Sequence, residues 1–115
     1  MKRLLLVEDD PFIAMDIEGT LVESGFVVAG SAGSVEKALE LVASLDFDAA
    51  ILDANLAGES SGPIAVAIGA RKLPYIVLSG YSASQQPEEL RQAVLISKPF
   101  NPSVLVEAVR AMLSV

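Results

Sequence analysis

At 115 residues, with no cysteine and no histidine, the chain has room for one domain and excludes disulfides, thiolate or imidazole catalysis and zinc sites of the usual ligands. A content of 52% hydrophobic and 20% charged residues is that of a globular protein rather than a disordered one. Fifteen acids against eight bases give a net charge of −7, and no run of Lys and Arg is present, so nucleic acid is not expected as a direct partner.

Met1-Lys2-Arg3 ahead of four apolar residues has the outline of a signal peptide, but Glu8-Asp9-Asp10 cuts its apolar core short. No apolar stretch approaches a membrane span. No membrane association is expected, and the cytoplasm is the expected location.

Leu4 to Val7 is an uninterrupted aliphatic run and reads as a buried strand closed by three acids. Asp10-Pro11 reads as N-cap and first helical position, because proline lacks only a donor that would be unpaired there. Ile13, Ile17 and Leu21 follow at helical spacing until Gly25 stops the helix. Phe26 to Ala29 is expected as the second strand. Ser34 then caps a helix with Glu36 in its first turn and Val35, Ala38, Leu39 and Val42 on one face.

Ala49 to Asp53 is the third strand, apolar throughout until it ends on a carboxylate and enters the Gly/Ser-rich turn Ala54 to Gly62. Gly62-Pro63 opens a helix to about Ala70, Tyr75 to Leu78 is the fourth strand, and Leu95-Ile96 is the centre of the fifth. Ser82 to Gln92 is polar and weakly patterned, with room for one or two helical turns from Pro87. Asn101-Pro102 repeats the cap-then-proline device before a last helix carrying Leu105, Ala108, Val109 and Met112 on its core stripe. Val104, Val106 and Ala111 lie off that stripe, which fits either a dimer or partner surface or a helix richly packed at the domain's end.

Strands alternating with helices give an α/β parallel sheet covered on both faces, and right-handed crossovers leave few topologies. In a doubly wound sheet the carboxyl ends of the strands open on one edge. That edge collects Glu8 and Asp9 after the first strand, Asp53 after the third, Ser79 after the fourth and Lys98 after the fifth. Carboxylates roughly 5 Å apart repel by about 3 kcal/mol per pair at an effective dielectric near 20, so the cluster calls for a cation. An all-oxygen ligand set favours a hard ion, and Mg²⁺ fits best. Asp53 is placed to accept a phosphoryl group as a covalent nucleophile. Mg²⁺ and Lys98 would oppose the charge of the phosphoryl oxygens, and Ser79 could donate to the attached group. Asp10, directly before Pro11, is read as a cap and not as a ligand.

An acid pair after the first strand, a lone Asp after the third, Ser after the fourth and Lys98-Pro99 after the fifth resemble the receiver domain of two-component response regulators over essentially the whole chain. The resemblance implies a flavodoxin-like (βα)5 fold with strand order 2-1-3-4-5, residues 1–115 forming the receiver with no output domain. It implies a histidine kinase or histidine phosphotransfer protein as phosphodonor, an unidentified downstream protein, and an activity confined to the domain's own phosphorylation and dephosphorylation. Asp9, Asp53 and the backbone carbonyl of Asn55 would hold Mg²⁺, with Glu8 reaching it through water.

Pro74 to Tyr81, Pro-Tyr-Ile-Val-Leu-Ser-Gly-Tyr, is similar to the FATGUY subgroup of single-domain receivers, with Val77, Leu78 and Ser79 replacing its Phe, Ala and Thr. That likeness implies a short or irregular fourth helix. Many receivers carry a switching aromatic three residues before the lysine, where this chain has Leu95; Tyr81 is then the substitute switch residue beside Ser79. Three competing readings are weaker. An aspartate-nucleophile phosphatase wants an acid where Asn55 stands, a flavin carrier would have its phosphate repelled by Glu8-Asp9-Asp10, and a static docking module has no use for an intact acidic site.

Overall fold

The computed structural model describes residues 2–80, 94–98 and 100–114. Tyr81, the stretch Ser82 to Gln92 with its expected irregular helix, and Pro99 lie outside the described residues. Strand β1 (Arg3–Val7) leads to helix α1 (Pro11–Glu23), strand β2 (Val27–Ala32), helix α2 (Val35–Ser44) and strand β3 (Ala49–Asp53). Two short strands follow, β4 (Asn55–Leu56) and β5 (Glu59–Ser60), then α3 (Gly62–Ala70), β6 (Tyr75–Ser79), β7 (Val94–Ser97) and α4 (Pro102–Leu113). The five longer strands form one parallel sheet in the order β2-β1-β3-β6-β7, the expected 2-1-3-4-5 arrangement.

Period-two alternation divides the central strands between two cores. Leu5, Val7, Ala50, Leu52 and Val77 meet α2 and α3 through Ala38, Val42, Ile64 and Ile68. Leu4, Leu6, Ile51, Ile76 and Leu78 meet α1 and α4 through Ile17, Leu21, Leu105 and Val109. β3 is buried at all five positions, as a strand at the centre of a sheet covered on both faces should be.

The expected caps form. Asp10 Oδ1 accepts from the amides of Phe12 and Ile13, Ser34 Oγ from that of Lys37, and Asn101 Oδ1 from that of Ser103. Gly25, with φ +93°, turns the chain after α1 in the left-handed region that favours glycine.

Several local expectations are corrected. The second strand runs from Val27 to Ala32, because parallel pairing with β1 continues past a register shift between Leu4 and Leu5; Phe26 belongs to the core instead. Ile13 and Leu39 are exposed although they share helical spacing with core residues. Val106 is buried against the sheet, so a surface for a second copy on α4 would have only Val104 and Ala111 of the residues off the stripe. The turn after Asp53 contains the β4–β5 hairpin, which the Gly/Ser content did not reveal.

Candidate functional site

The strand order reverses at β1, whose neighbours are β2 on one side and β3 on the other. The crevice past the carboxyl ends of β1 and β3 is the usual ligand position of an open α/β sheet. Glu8 and Asp9 follow β1 and Asp53 ends β3, and carboxylate oxygens of the three lie within 4.8 Å of one another. Glu8 and Asp53 are buried while Asp9 is exposed, so the cluster opens to solvent on the Asp9 side.

Lys98, directly after β7, reaches across β6 to this cluster. Its Nζ donates to Asp53 Oδ2 at 3.0 Å and lies 3.5 Å from Glu8 Oε1. The Lys98 amide donates to the Ser79 carbonyl at 2.8 Å, which ties the lysine to the end of β6. Ser79 itself is buried at that strand end, paired in register with Ser97. Thus Glu8, Asp9, Asp53 and Lys98 come together as the sequence indicated, with Ser79 on the adjoining strand end. Asp10 turns away and caps α1. Leu95 is half-buried and packs on the core.

Burial is the main reason that the Glu8 carboxyl is raised to about 7; a hydrogen bond with Asp53 and repulsion by it add to the effect. The Asp10 amide, which donates to Glu8 Oε2 at 3.2 Å, and the charge of Lys98 oppose it. Burial also works against the Lys98 ammonium, but the hydrogen bond and attraction of Asp53, with Glu8 behind it, win and hold its pKa above the ordinary lysine value. Among the described residues Glu8 Oε1 is buried with no hydrogen-bond partner, the Lys98 ammonium standing 3.5 Å away. A desolvated carboxylate oxygen facing two further acids is suited to a cation, and the donors fit a hard divalent ion such as Mg²⁺.

The β4–β5 hairpin follows directly on Asp53. Asn55 pairs with Ser60, and Leu56 with Glu59, around a turn at Ala57 and Gly58. Both turn residues have positive φ, 52° and 92°, as a type I′ hairpin requires. The pair next to a two-residue turn exchanges hydrogen bonds, so Asn55–Ser60 is the non-bonded pair. The bond from the Ser61 amide to Ala54 O, 3.0 Å, agrees with that register. The Asn55 carbonyl is therefore left out of the ladder. The Asn55 amide donates to Asp53 Oδ1 at 3.3 Å, and in extended chain a residue's N–H and C=O point to the same side. By that geometry the Asn55 carbonyl is expected on the Asp53 side.

Ser61 is the residue that sequence reasoning missed. It is fully buried and its hydroxyl also donates to Ala54 O, at 3.2 Å. The only hint was its place just before Gly62-Pro63, which reads as an ordinary helix start. Among the described residues, no helix is long and apolar enough to cross a membrane.

Comparison with known proteins agrees with this geometry. The sequence profile of the response regulator receiver domain matches residues 4–110. The transcriptional regulatory protein PdtaR of Mycobacterium tuberculosis is 30% identical over 117 residues, which cover 98% of this chain and 57% of PdtaR. The chain thus spans little more than half the length of that relative. The solution structure of SdrG from Sphingomonas melonis Fr1 has a TM-score of 0.83 and 36% identity, covering 98% of this chain and 97% of that one. The crystal structure of response regulator TrrA from Thermotoga maritima, in complex with Mg²⁺-BeF, has a TM-score of 0.86 and 31% identity, covering 97% and 99%. The acidic crevice, the lysine across it and the matched profile lead to one conclusion: the chain belongs to the response regulator receiver domain family.

Proposed function

We propose that the chain accepts a phosphoryl group on Asp53 from the phosphohistidine of a histidine kinase or histidine phosphotransfer protein, in a Mg²⁺-dependent reaction, and signals through protein–protein contact. The observation that carries this reading is Lys98 Nζ at 3.0 Å from Asp53 Oδ2, inside the cluster of Glu8, Asp9 and Asp53. An Asp53 carboxylate oxygen attacks phosphorus as the P–N bond breaks, and the electron pair leaves on the donor's imidazole nitrogen. Lys98 opposes the charge on the phosphoryl oxygens, an electrostatic role that positioned cations fill in phosphoryl transfer. Ser79, at the neighbouring strand end, donates to the attached group.

Asp9, Asp53 and the Asn55 carbonyl would hold the ion, with Glu8 acting through water. Bound there, Mg²⁺ supplies positive charge to the phosphoryl oxygens and relieves repulsion among the carboxylates. The structure of TrrA with Mg²⁺-BeF is a precedent for such a ligand in a relative of 31% identity. Met15, 61% exposed on α1 and lining a cavity with Glu8 and Asp9, offers apolar contact to an incoming donor. The chain catalyses only its own phosphorylation and dephosphorylation, since Asn55 stands where an aspartate-nucleophile phosphatase would need a proton donor. Tyr81 relays the change at Ser79 to a downstream partner.

Acetyl phosphate with Mg²⁺, followed by intact mass, tests the reading. One phosphoryl mass should appear in the wild-type protein and vanish with Asp53→Asn or with a chelator. Stable labelling that survives Asp53→Asn would overturn it.

A further inference from the structure

Ser61 occupies the N-cap position of α3, yet its side chain makes no capping bond. Serine is favoured at N-caps because its oxygen can accept from the first free amides of the helix. Here the hydroxyl turns back to donate to Ala54 O, which already accepts from the Ser61 amide. The same peptide unit is held at its other end, where the Asn55 amide donates to Asp53 Oδ1. Ala54 is anchored as well, its amide donating to Leu78 O on β6 at 2.9 Å. The Ala54–Asn55 peptide plane is thus pinned from both edges, and with Asn55 in the extended backbone of β4 this fixes the direction of the next carbonyl, that of Asn55.

We propose that Ser61 is a positioning residue for the divalent-cation site: its hydroxyl, withheld from α3, locks the Ala54–Asn55 peptide and so aims the Asn55 carbonyl at Glu8, Asp9 and Asp53. The proposal rests on the reading of that cluster as a Mg²⁺ site. Ser61 touches neither the ion nor the phosphoryl group and acts only through the backbone. Groups that orient a metal ligand commonly change affinity by about 10- to 100-fold when removed. Ser60, next in the chain, is the natural control, because its Oγ accepts from the Gly62 amide at 3.0 Å and does not bond Ala54.

The experiment is a calorimetric Mg²⁺ titration of the whole chain, paired with urea unfolding of the metal-free protein. Ser61→Ala should weaken Mg²⁺ binding about tenfold, while Ser60→Ala changes it less than twofold whatever it does to stability. Ser61→Gly is the second variant, since N-caps tolerate glycine; it should lose Mg²⁺ affinity like Ser61→Ala and decides the matter if the alanine variant does not fold. Wild-type Mg²⁺ affinity in a folded Ser61 variant, or an equal loss in Ser60→Ala, overturns the proposal. Mg²⁺ binding that persists undiminished in Asp9→Ala overturns instead the site reading beneath it.

Discussion

Lys98 Nζ sits 3.0 Å from Asp53 Oδ2 and 3.5 Å from Glu8 Oε1, so one ammonium just past the last strand of the sheet serves two buried carboxylates of its centre. A divalent ion in the same cluster would draw on the same carboxylate charge. On the proposed function, lysine and ion would be partial competitors in the unphosphorylated protein and allies once phosphoryl oxygens arrive. Lys98→Ala should leave the fold intact, strengthen Mg²⁺ binding a few-fold, and slow labelling by acetyl phosphate by about a hundredfold. Labelling kinetics beside a Mg²⁺ titration separate the two effects. A variant that labels at the wild-type rate would make Lys98 a structural ion-pair partner only.

Asp9 and Asp10 are adjacent but should respond in opposite ways. Asp10 caps α1 through two amides, so Asp10→Ala should cost about 1 kcal/mol of stability and leave Mg²⁺ affinity nearly unchanged. Asp9→Ala should remove most Mg²⁺ binding and barely move the unfolding midpoint. Equal losses of Mg²⁺ affinity in the two would mean that the ligand register is displaced by one residue.

The raised pKa of Glu8, about 7 in the folded chain against 4.5 for the free group, has a definite sign. Between these values the folded state binds more protons than the unfolded state, so metal-free stability should fall as pH rises from about 4.5 to 7. Glu8→Gln should flatten that slope in urea unfolding at several pH values. Mg²⁺ favours the ionised cluster, so its affinity should climb over the same window and level off above pH 7. A slope that Glu8→Gln leaves unchanged would show that Glu8 does not carry this pH dependence.

Ala57 adopts φ 52° in the hairpin turn, a region that costs a residue with a Cβ roughly 1–2 kcal/mol. Ala57→Asn creates the Asn-Gly pair that type I′ turns favour and should recover part of that roughly 1–2 kcal/mol. Thermal or urea unfolding reads this directly. Destabilisation would indicate that position 57 is set by contacts beyond its own backbone.

Much of this protein was legible along the chain because the signals are local. Unbroken aliphatic runs marked β1 and β3, the caps Asp10, Ser34 and Asn101 placed three helices, and acids and a lysine at strand ends announced the chemistry. Parallel strands with right-handed crossovers leave few arrangements, and these bring the strand ends bearing Glu8, Asp9, Asp53 and Lys98 to one edge. Tertiary structure decided what depends on partners distant in sequence. β2 extends to Ala32 because β1 offers it pairing, which hydropathy at Phe26 to Ala29 could not convey. Val106 is buried because α4 meets the sheet over a broader arc than its stripe. The β4–β5 hairpin was hidden because Ala57 is a poor advertisement for a left-handed backbone, its strain being borne by the pairing around it. Ser61 stands unremarked just before the helix start at Gly62-Pro63, and only the folded chain brings Ala54 O within reach of its hydroxyl. The Glu8 shift has the same origin: a sequence can place an acid after a strand, but desolvation belongs to the groups that close over it.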